Sequence, residues 1–239
     1  MIFLRSLMFN LLFYGITTVM AVVGLPLLLL PGRAIMAYAS LWAQVLRLML
    51  LIVGIRHRIT GPIPQGQVIY AAKHQSAWET IILYHELGHP APVLKKELVF
   101  LPLIGLYFLR VASVPINRAA AGKALRMLMD SARRIAGLGH SILIFPQGTR
   151  VSPGQDHPYH PGTFALYQAT GLAVVPVALN SGLFWPRSSF VKRPGMIDVS
   201  LGEPIPPGLG RKAFMALLEE RIENATAALP GMAVDRKTG

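Results

Sequence analysis

Apolar positions fall into two regimes along the chain. From Ser6 to Gly32 no residue carries a formal charge, and Arg5 and Arg33 close the run at either side. As one helix it would extend about 40 Å, more than the roughly 30 Å hydrocarbon thickness of a bilayer. Gly24 and Pro26 predict a kink or an early end, and Pro31-Gly32-Arg33 predicts a turn. A second apolar stretch, Ala34 to Ile55, carries one charge, Arg47. Three readings are open for this region. A cleaved signal peptide would use Ala37-Tyr38-Ala39, but the apolar run is much longer than a secretory core. A single span is the second. A hairpin of two helices, spanning or dipping into one leaflet, is preferred. It places Arg5, Arg56 and Arg58 on one side, which the excess of positive charge makes cytoplasmic.

Beyond Arg56 short β-rich runs alternate with helical ones. Gln67–Ala72, Val111–Ile116, Ser141–Phe145, Val174–Leu179 and Met196–Leu201 read as strands. Helices are expected at Ala77–Tyr84, at Gly122–Leu138 and at Arg211–Leu229. In the last, Phe214, Leu217, Leu218 and Ile222 recur at helical spacing. This alternation predicts α/β layering around one mixed sheet. Residues 1–55 are then an N-terminal membrane-anchoring hairpin, 56–230 one domain and 231–239 a loose tail.

Composition narrows the class. The chain of 239 residues is 53% hydrophobic and 14% charged, too apolar for an ordinary soluble domain and too polar for a bundle of spans. Its net charge of +12 favours an anionic membrane surface or a phosphorylated substrate. No nucleic-acid motif accompanies that charge. With no cysteine in the chain, disulfides, thiolate nucleophiles and thiolate metal sites are excluded.

Four constellations carry candidate chemistry. In Lys73-His74-Gln75-Ser76-Ala77-Trp78-Glu79, Ser76 and Glu79 form a capping box that starts a helix. His74 then lies in the preceding turn and can fold back towards Glu79. A carboxylate on one imidazole nitrogen would leave the other free as a general base. The alternative is a plain helix cap beside a loop histidine. Phe145-Pro146-Gln147-Gly148-Thr149-Arg150 closes a strand, where α/β proteins bind ligands. Gly148 allows close backbone approach, and Arg150 offers a planar fork to a phosphate or carboxylate. Val114–Arg118 ends another strand in a cation, and Lys95-Lys96-Glu97-Leu98 follows the first helix of the domain. Solvated surface charge is the plainer reading of both.

Taken together, these motifs resemble the glycerolipid acyltransferase family. His74 with an acid five residues on, Asn117-Arg118, Phe145–Arg150 and Val175-Pro176-Val177 stand in the family's order and spacing, over about residues 67 to 180. Lys95–Leu98, Leu101–Gly105 and Gly162 fit as well. The resemblance implies transfer of a fatty acyl group from acyl-CoA or acyl carrier protein to the sn-2 hydroxyl of lysophosphatidic acid. Glycerol 3-phosphate or a lyso-aminolipid are the alternative acceptors. It implies His74 as base, Glu79 as its orienting acid, and Lys95, Arg118, Gln147, Gly148, Thr149 and Arg150 as substrate-binding residues. No cofactor or metal is required, the partners are membrane lipids and the thioester donor, and the location is the cytoplasmic face of the inner membrane. Two positions depart from the family: Glu79 stands where Asp is usual, and Gln147 where Glu is usual. The second puts the acceptor's identity in question.

A rival motif is His85-Glu86-Leu87-Gly88-His89, the His-Glu-x-x-His pattern of zinc proteases. Pro90 disfavours helical geometry at His89, and no third ligand stands at the relevant spacing. A third class, a lipid-binding protein without activity, would be expected to lack His74, Glu79 or Arg150, and all three are present.

Overall fold

The computed structural model describes residues 1–116 and 121–232. It opens with two antiparallel helices, α1 (Ile2–Val23) and α2 (Gly32–Ile52), joined by a 3-10 turn at Leu25–Leu29 that carries Pro26 in its first residues. Proline has no N–H to continue the helix, so the apolar run breaks there. Both helices are long and apolar enough to cross a membrane.

Gly54, in the left-handed region at φ +73°, turns the chain into β1 (Ile55–Thr60). Then follow β2 (Ile69–Ala72), a π-helical turn at Glu79–Leu83 running into the short α3 (Tyr84–Glu86), and β3 (Ala91–Lys95). A 3-10 turn (Lys96–Phe100) leads to α4 (Ile104–Arg110), β4 (Val114–Ile116), α5 (Ala121–Gly137) and β5 (Ile142–Ile144). The chain ends with α6 (Gly162–Thr170), β6 (Val174–Leu179), β7 (Gly195–Leu201) and α7 (Arg211–Ala227).

The strands form one seven-stranded sheet in the order β1-β7-β6-β2-β5-β3-β4. All neighbours are parallel except β6 and β7, so the expected mixed α/β sheet is present. The central strand β2 is buried on both faces, and its period of two divides the core. Tyr70 and Ala72 face one cluster with Leu46 and Leu50 of α2, while Ile69 and Ala71 face Ile135, Phe214 and Leu218 of α5 and α7. The result is three layers: hairpin, sheet, helices.

The hairpin is therefore part of the core, more than a tether beside it. Leu46 and Leu50 pack with Trp78 and Val177, and Phe9 of α1 meets Trp185 edge-on at 5.2 Å. Near the start of α1, Lys192 N–H donates to Ser6 Oγ, and Asn10 Nδ2 donates to Phe190 O. Near its end, Tyr107 Oη donates to the Ala21 carbonyl. Both ends of a helix about 33 Å long thus touch the same α/β domain. A helix crossing a bilayer would hold its ends on opposite sides of the hydrocarbon, whereas here both ends of α1 rest against the one domain.

Several sequence-based boundaries shift. The helix expected at Ala77–Tyr84 starts as a π-helical turn at Glu79. Strands β1 and β3 were not expected, because Arg56-His57-Arg58 and Pro92 mask short strands. Arg118, Asn117 and the tail beyond Met232 lie outside the described residues.

Lys192 provides a test of hairpin docking. Its buried Nζ donates to Asn10 Oδ1 at 2.9 Å and lies 5.5 Å from the Trp185 ring centroid. Desolvation lowers its pKa from 10.5 to about 8. The unfolded chain keeps this proton longer, so the contribution of Lys192 to stability is present above about pH 10.5 and is lost as pH falls through about 8. In thermal melts, wild type should gain stability relative to Lys192→Met as pH rises through this window. Parallel pH profiles would show that Lys192 is not desolvated against α1.

Candidate active site

Strand β2 delivers Lys73 and His74 to the carboxyl edge of the sheet, beside β5 and β6. Lys73 N–H still bonds Val177 O at 2.9 Å, continuing the ladder one residue beyond the strand. The Lys73 side chain is buried, with Nζ 2.5 and 2.6 Å from the two oxygens of Glu223 on α7. Tyr159 Oη donates to the same carboxylate, and burial together with that charge raises the tyrosine's pKa. The residue before His74 is thereby fixed to the opposite layer of the protein.

The turn after His74 is organised by one buried carboxylate. Glu79 Oε1 accepts from the backbone N–H groups of Gln75 and Ser76 at 2.5 and 2.6 Å, and from His74 Nδ1 at 3.1 Å. Its Oε2 accepts from Ser181 Oγ at 2.9 Å. The capping box read in the sequence is present in altered form: Glu79 reaches back to Ser76 N–H, while Ser76 Oγ accepts from Trp78 N–H. Four donors offset the cost of burying Glu79 completely. With Nδ1–H held by Glu79, the imidazole presents Nε2 as its available lone pair. The ring stacks on Phe145 at 4.0 Å, and Val151 N–H donates to the His74 carbonyl. These contacts fix ring and backbone from the segment that carries the second motif.

His74 lines a cavity of about 990 Å³. Its polar residues include His74, Lys95, Thr149, Arg150, His160 and Arg187. Most of the wall is apolar and comes from two sources: Ile35, Tyr38 and Trp42 of the hairpin, and Leu101, Ile104 and Phe108 of the segment around α4. Gly148 sits at φ +64° in the tight turn whose N–H returns to Phe145 O, a conformation a side chain would strain.

The structure thus gathers His74, Lys95, Gly148, Thr149 and Arg150 at one cavity, with Glu79 behind His74. Gln147 is placed differently. It is buried, does not line the cavity, and neither end of its amide has a hydrogen-bond partner among the described residues. Sequence reading missed three contributors. Ser181 completes the Glu79 cage from beyond β6. Gln75 Oε1 accepts from Gly182 N–H at 3.0 Å and ties the same two loops. Arg187 Nη1 donates to the Arg150 carbonyl at 2.9 Å, placing a second guanidinium beside Arg150. No spacing signal links Ser181 or Arg187 to His74; the folded structure brings them there.

Of the His-Glu-x-x-His pattern only the two histidines meet, His85 Nδ1 lying 3.4 Å from His89 Nε2. α3 ends at Glu86, and His89 stands at φ +62° outside it. His89 Nε2 bonds Ser40 Oγ at 2.8 Å, while Glu86 faces His57 and Arg47. Among the described residues no group of three His, Asp or Glu could hold a metal ion.

Comparison with known proteins follows the same lines. The Acyltransferase family model matches residues 54–180. Over 176 residues the chain is 35% identical to the 1-acyl-sn-glycerol-3-phosphate acyltransferase of Pseudomonas aeruginosa, covering 72% of this chain and 68% of that protein. It is 28% identical over 182 residues to 1-acyl-sn-glycerol-3-phosphate acyltransferase alpha of Ovis aries, covering 72% of this chain and 62% of the relative. Of a Chlamydomonas reinhardtii relative with the same type of name it spans 44%. The crystal structure of the 1-acyl-sn-glycerophosphate acyltransferase PlsC from Thermotoga maritima shares the fold, with a TM-score of 0.79 over 97% of this chain and 98% of that one at 21% identity.

Ser181→Ala would leave Glu79 Oε2 buried without a partner. The expected loss of stability is about 1–3 kcal/mol, read from denaturant unfolding in detergent. An unchanged midpoint would show that Ser181 does not hold the carboxylate.

Proposed function

The chain belongs to the acyltransferase family, and from that premise we propose that it moves a fatty acyl group from a thioester to the sn-2 hydroxyl of 1-acylglycerol 3-phosphate, giving phosphatidic acid. The observation that carries this reading is the His74–Glu79 pair opening onto a largely apolar cavity that also holds Lys95 and Arg150. Neither a soluble small-molecule enzyme nor a protease needs that combination of base, cations and hydrocarbon-compatible wall.

In the proposed reaction His74 Nε2 takes the proton of the acceptor hydroxyl as its oxygen attacks the thioester carbonyl. Glu79 keeps the ring in register and stabilises the imidazolium that forms. The tetrahedral intermediate collapses with loss of the thiolate, which takes the proton back from His74. Transfer is direct: the chain has no cysteine, and among the described residues no serine lines the cavity beside His74. The thioester is already activated, so no cofactor is needed.

Arg150 and Lys95 bind the acceptor phosphate, and Arg187 adds a further cation beside Arg150. Arg118 keeps a phosphate role by resemblance. The acyl chains lie against the apolar wall shared by hairpin and domain. Since acceptor and product are both membrane lipids, the hairpin seats the enzyme in one leaflet, on the cytoplasmic face of the inner membrane. The excess of basic residues favours anionic lipid there and an acidic donor, either acyl-CoA or acyl carrier protein.

Purified protein should form labelled phosphatidic acid from acyl thioester and lysophosphatidate. His74→Ala should lower kcat at least about 100-fold without loss of fold. Near-normal turnover in that variant would falsify the mechanism. Arg150→Ala removes charge-assisted hydrogen bonds and should raise the acceptor KM by about tenfold or more, leaving the donor KM near its original value. An unchanged acceptor KM would move the phosphate elsewhere.

A further inference from the structure

Between β3 and β4 the chain runs through the 3-10 turn and α4, and this segment is apolar on both faces. Its inner face supplies Leu98, Ile104, Tyr107 and Phe108 to the cavity. Its outer face exposes Phe100 at 79%, Leu106 at 44% and Leu109 at 63%. A short helix in water normally turns a polar face outwards, and one apolar all round is covered by something. The turn geometry holds these side chains out. Leu103 opens α4 at φ +61°, and Gly105 passes so close to the Val99 carbonyl that no side chain could fit there.

We propose that residues 98–110 form a second membrane-inserting element, continuous with the hairpin and buried in the same leaflet. The proposal rests on the reading of the hairpin as a one-leaflet seat. Continuity is built by hydrogen bonds: Tyr107 Oη donates to Ala21 O at 2.8 Å and Arg110 Nη2 to Leu30 O at 2.9 Å. These clamp α4 to the end of α1 and to the residue that closes the connecting turn, where Leu29 is 87% and Leu30 45% exposed. The turn and the outer face of α4 therefore make one apolar surface, flanked in the chain by the exposed cations Arg33 and Arg110 and by the adjacent Lys96 and Glu97. Lipid hydrocarbon fits that surface, and anionic headgroups fit its border. Only the thickness of this segment then separates the leaflet from the cavity.

The absence of native cysteine allows single-site labelling of the full chain. Phe100→Cys and Leu109→Cys carry the fluorophore in the segment, Leu11→Cys carries it on the exposed face of α1, and Lys212→Cys on α7 reports water. Each labelled protein is reconstituted into vesicles of phosphatidylcholine and phosphatidylglycerol, then challenged with acyl-chain doxyl lipid and with aqueous iodide. Labels at positions 100 and 109 should match position 11, with several-fold stronger quenching by doxyl lipid than position 212 and protection from iodide. If positions 100 and 109 behave like 212 while 11 is quenched by lipid, the proposal is overturned and the hairpin seat stands. Protection of 100 and 109 from both quenchers would overturn it in favour of a second copy of the chain as the cover. If position 11 also behaves like 212, the hairpin seat falls and takes the proposal with it, leaving the acyl-transfer reading to its own assay.

Discussion

Everything at the site hangs on the burial of Glu79. A carboxylate removed completely from water is costly unless every lone pair is met, and four donors from two separate parts of the chain meet this one. Two are backbone groups of the turn that begins the following helix, one is His74, and one is Ser181 beyond β6. The interaction thereby does several jobs at once. It starts the helical turn after β2, holds two parallel strands' exit loops together and leaves His74 with one free nitrogen. A longer acid than the aspartate usual in the family still reaches all four donors, so the substitution preserves the arrangement.

The hairpin and the site form one structure. Its helices bury Leu46, Leu50 and Phe9 against the sheet and at the same time line the cavity with Ile35, Tyr38 and Trp42. Hydrocarbon contact is thus shared between what would hold the protein in a bilayer and what would hold an acyl chain beside His74. An enzyme whose acceptor and product are both lipids gains from this economy: the substrate exchanges one apolar environment for another, and only the phosphate and reacting hydroxyl need polar partners. Under the proposed function, the cations Lys95, Arg150 and Arg187 of the cavity would supply those partners.

How much of this was legible in the sequence depended on distance along the chain. The His74–Glu79 pairing could be inferred because Ser76 and Glu79 are local capping partners. Strand Val174–Leu179 was legible in full because it is a continuous apolar run, buried at every position. Local patterning failed where a feature depends on tertiary neighbours. Strand β1 alternates Ile55 and Ile59 with arginines and a histidine, and only pairing with β7 makes it a strand. Ser181 and Arg187 reach the site only in the folded structure, for which the sequence carries no periodic signal. Ser6 and Asn10 look like minor polar interruptions of an apolar helix, yet they dock it onto the loop around Lys192. Gln147 is a different case. Its motif position suggested contact with the acceptor, but the turn closed by Gly148 directs it into the protein.

If Glu79 acts through His74, the two residues form a single functional unit, and a double-mutant cycle in the acyl-transfer assay reads that coupling. Glu79→Gln should slow turnover in the wild-type background and make almost no further difference once His74→Ala is present. Losses that multiply, with Glu79→Gln costing as much in the His74→Ala background as alone, would contradict the account and assign the carboxylate a separate role.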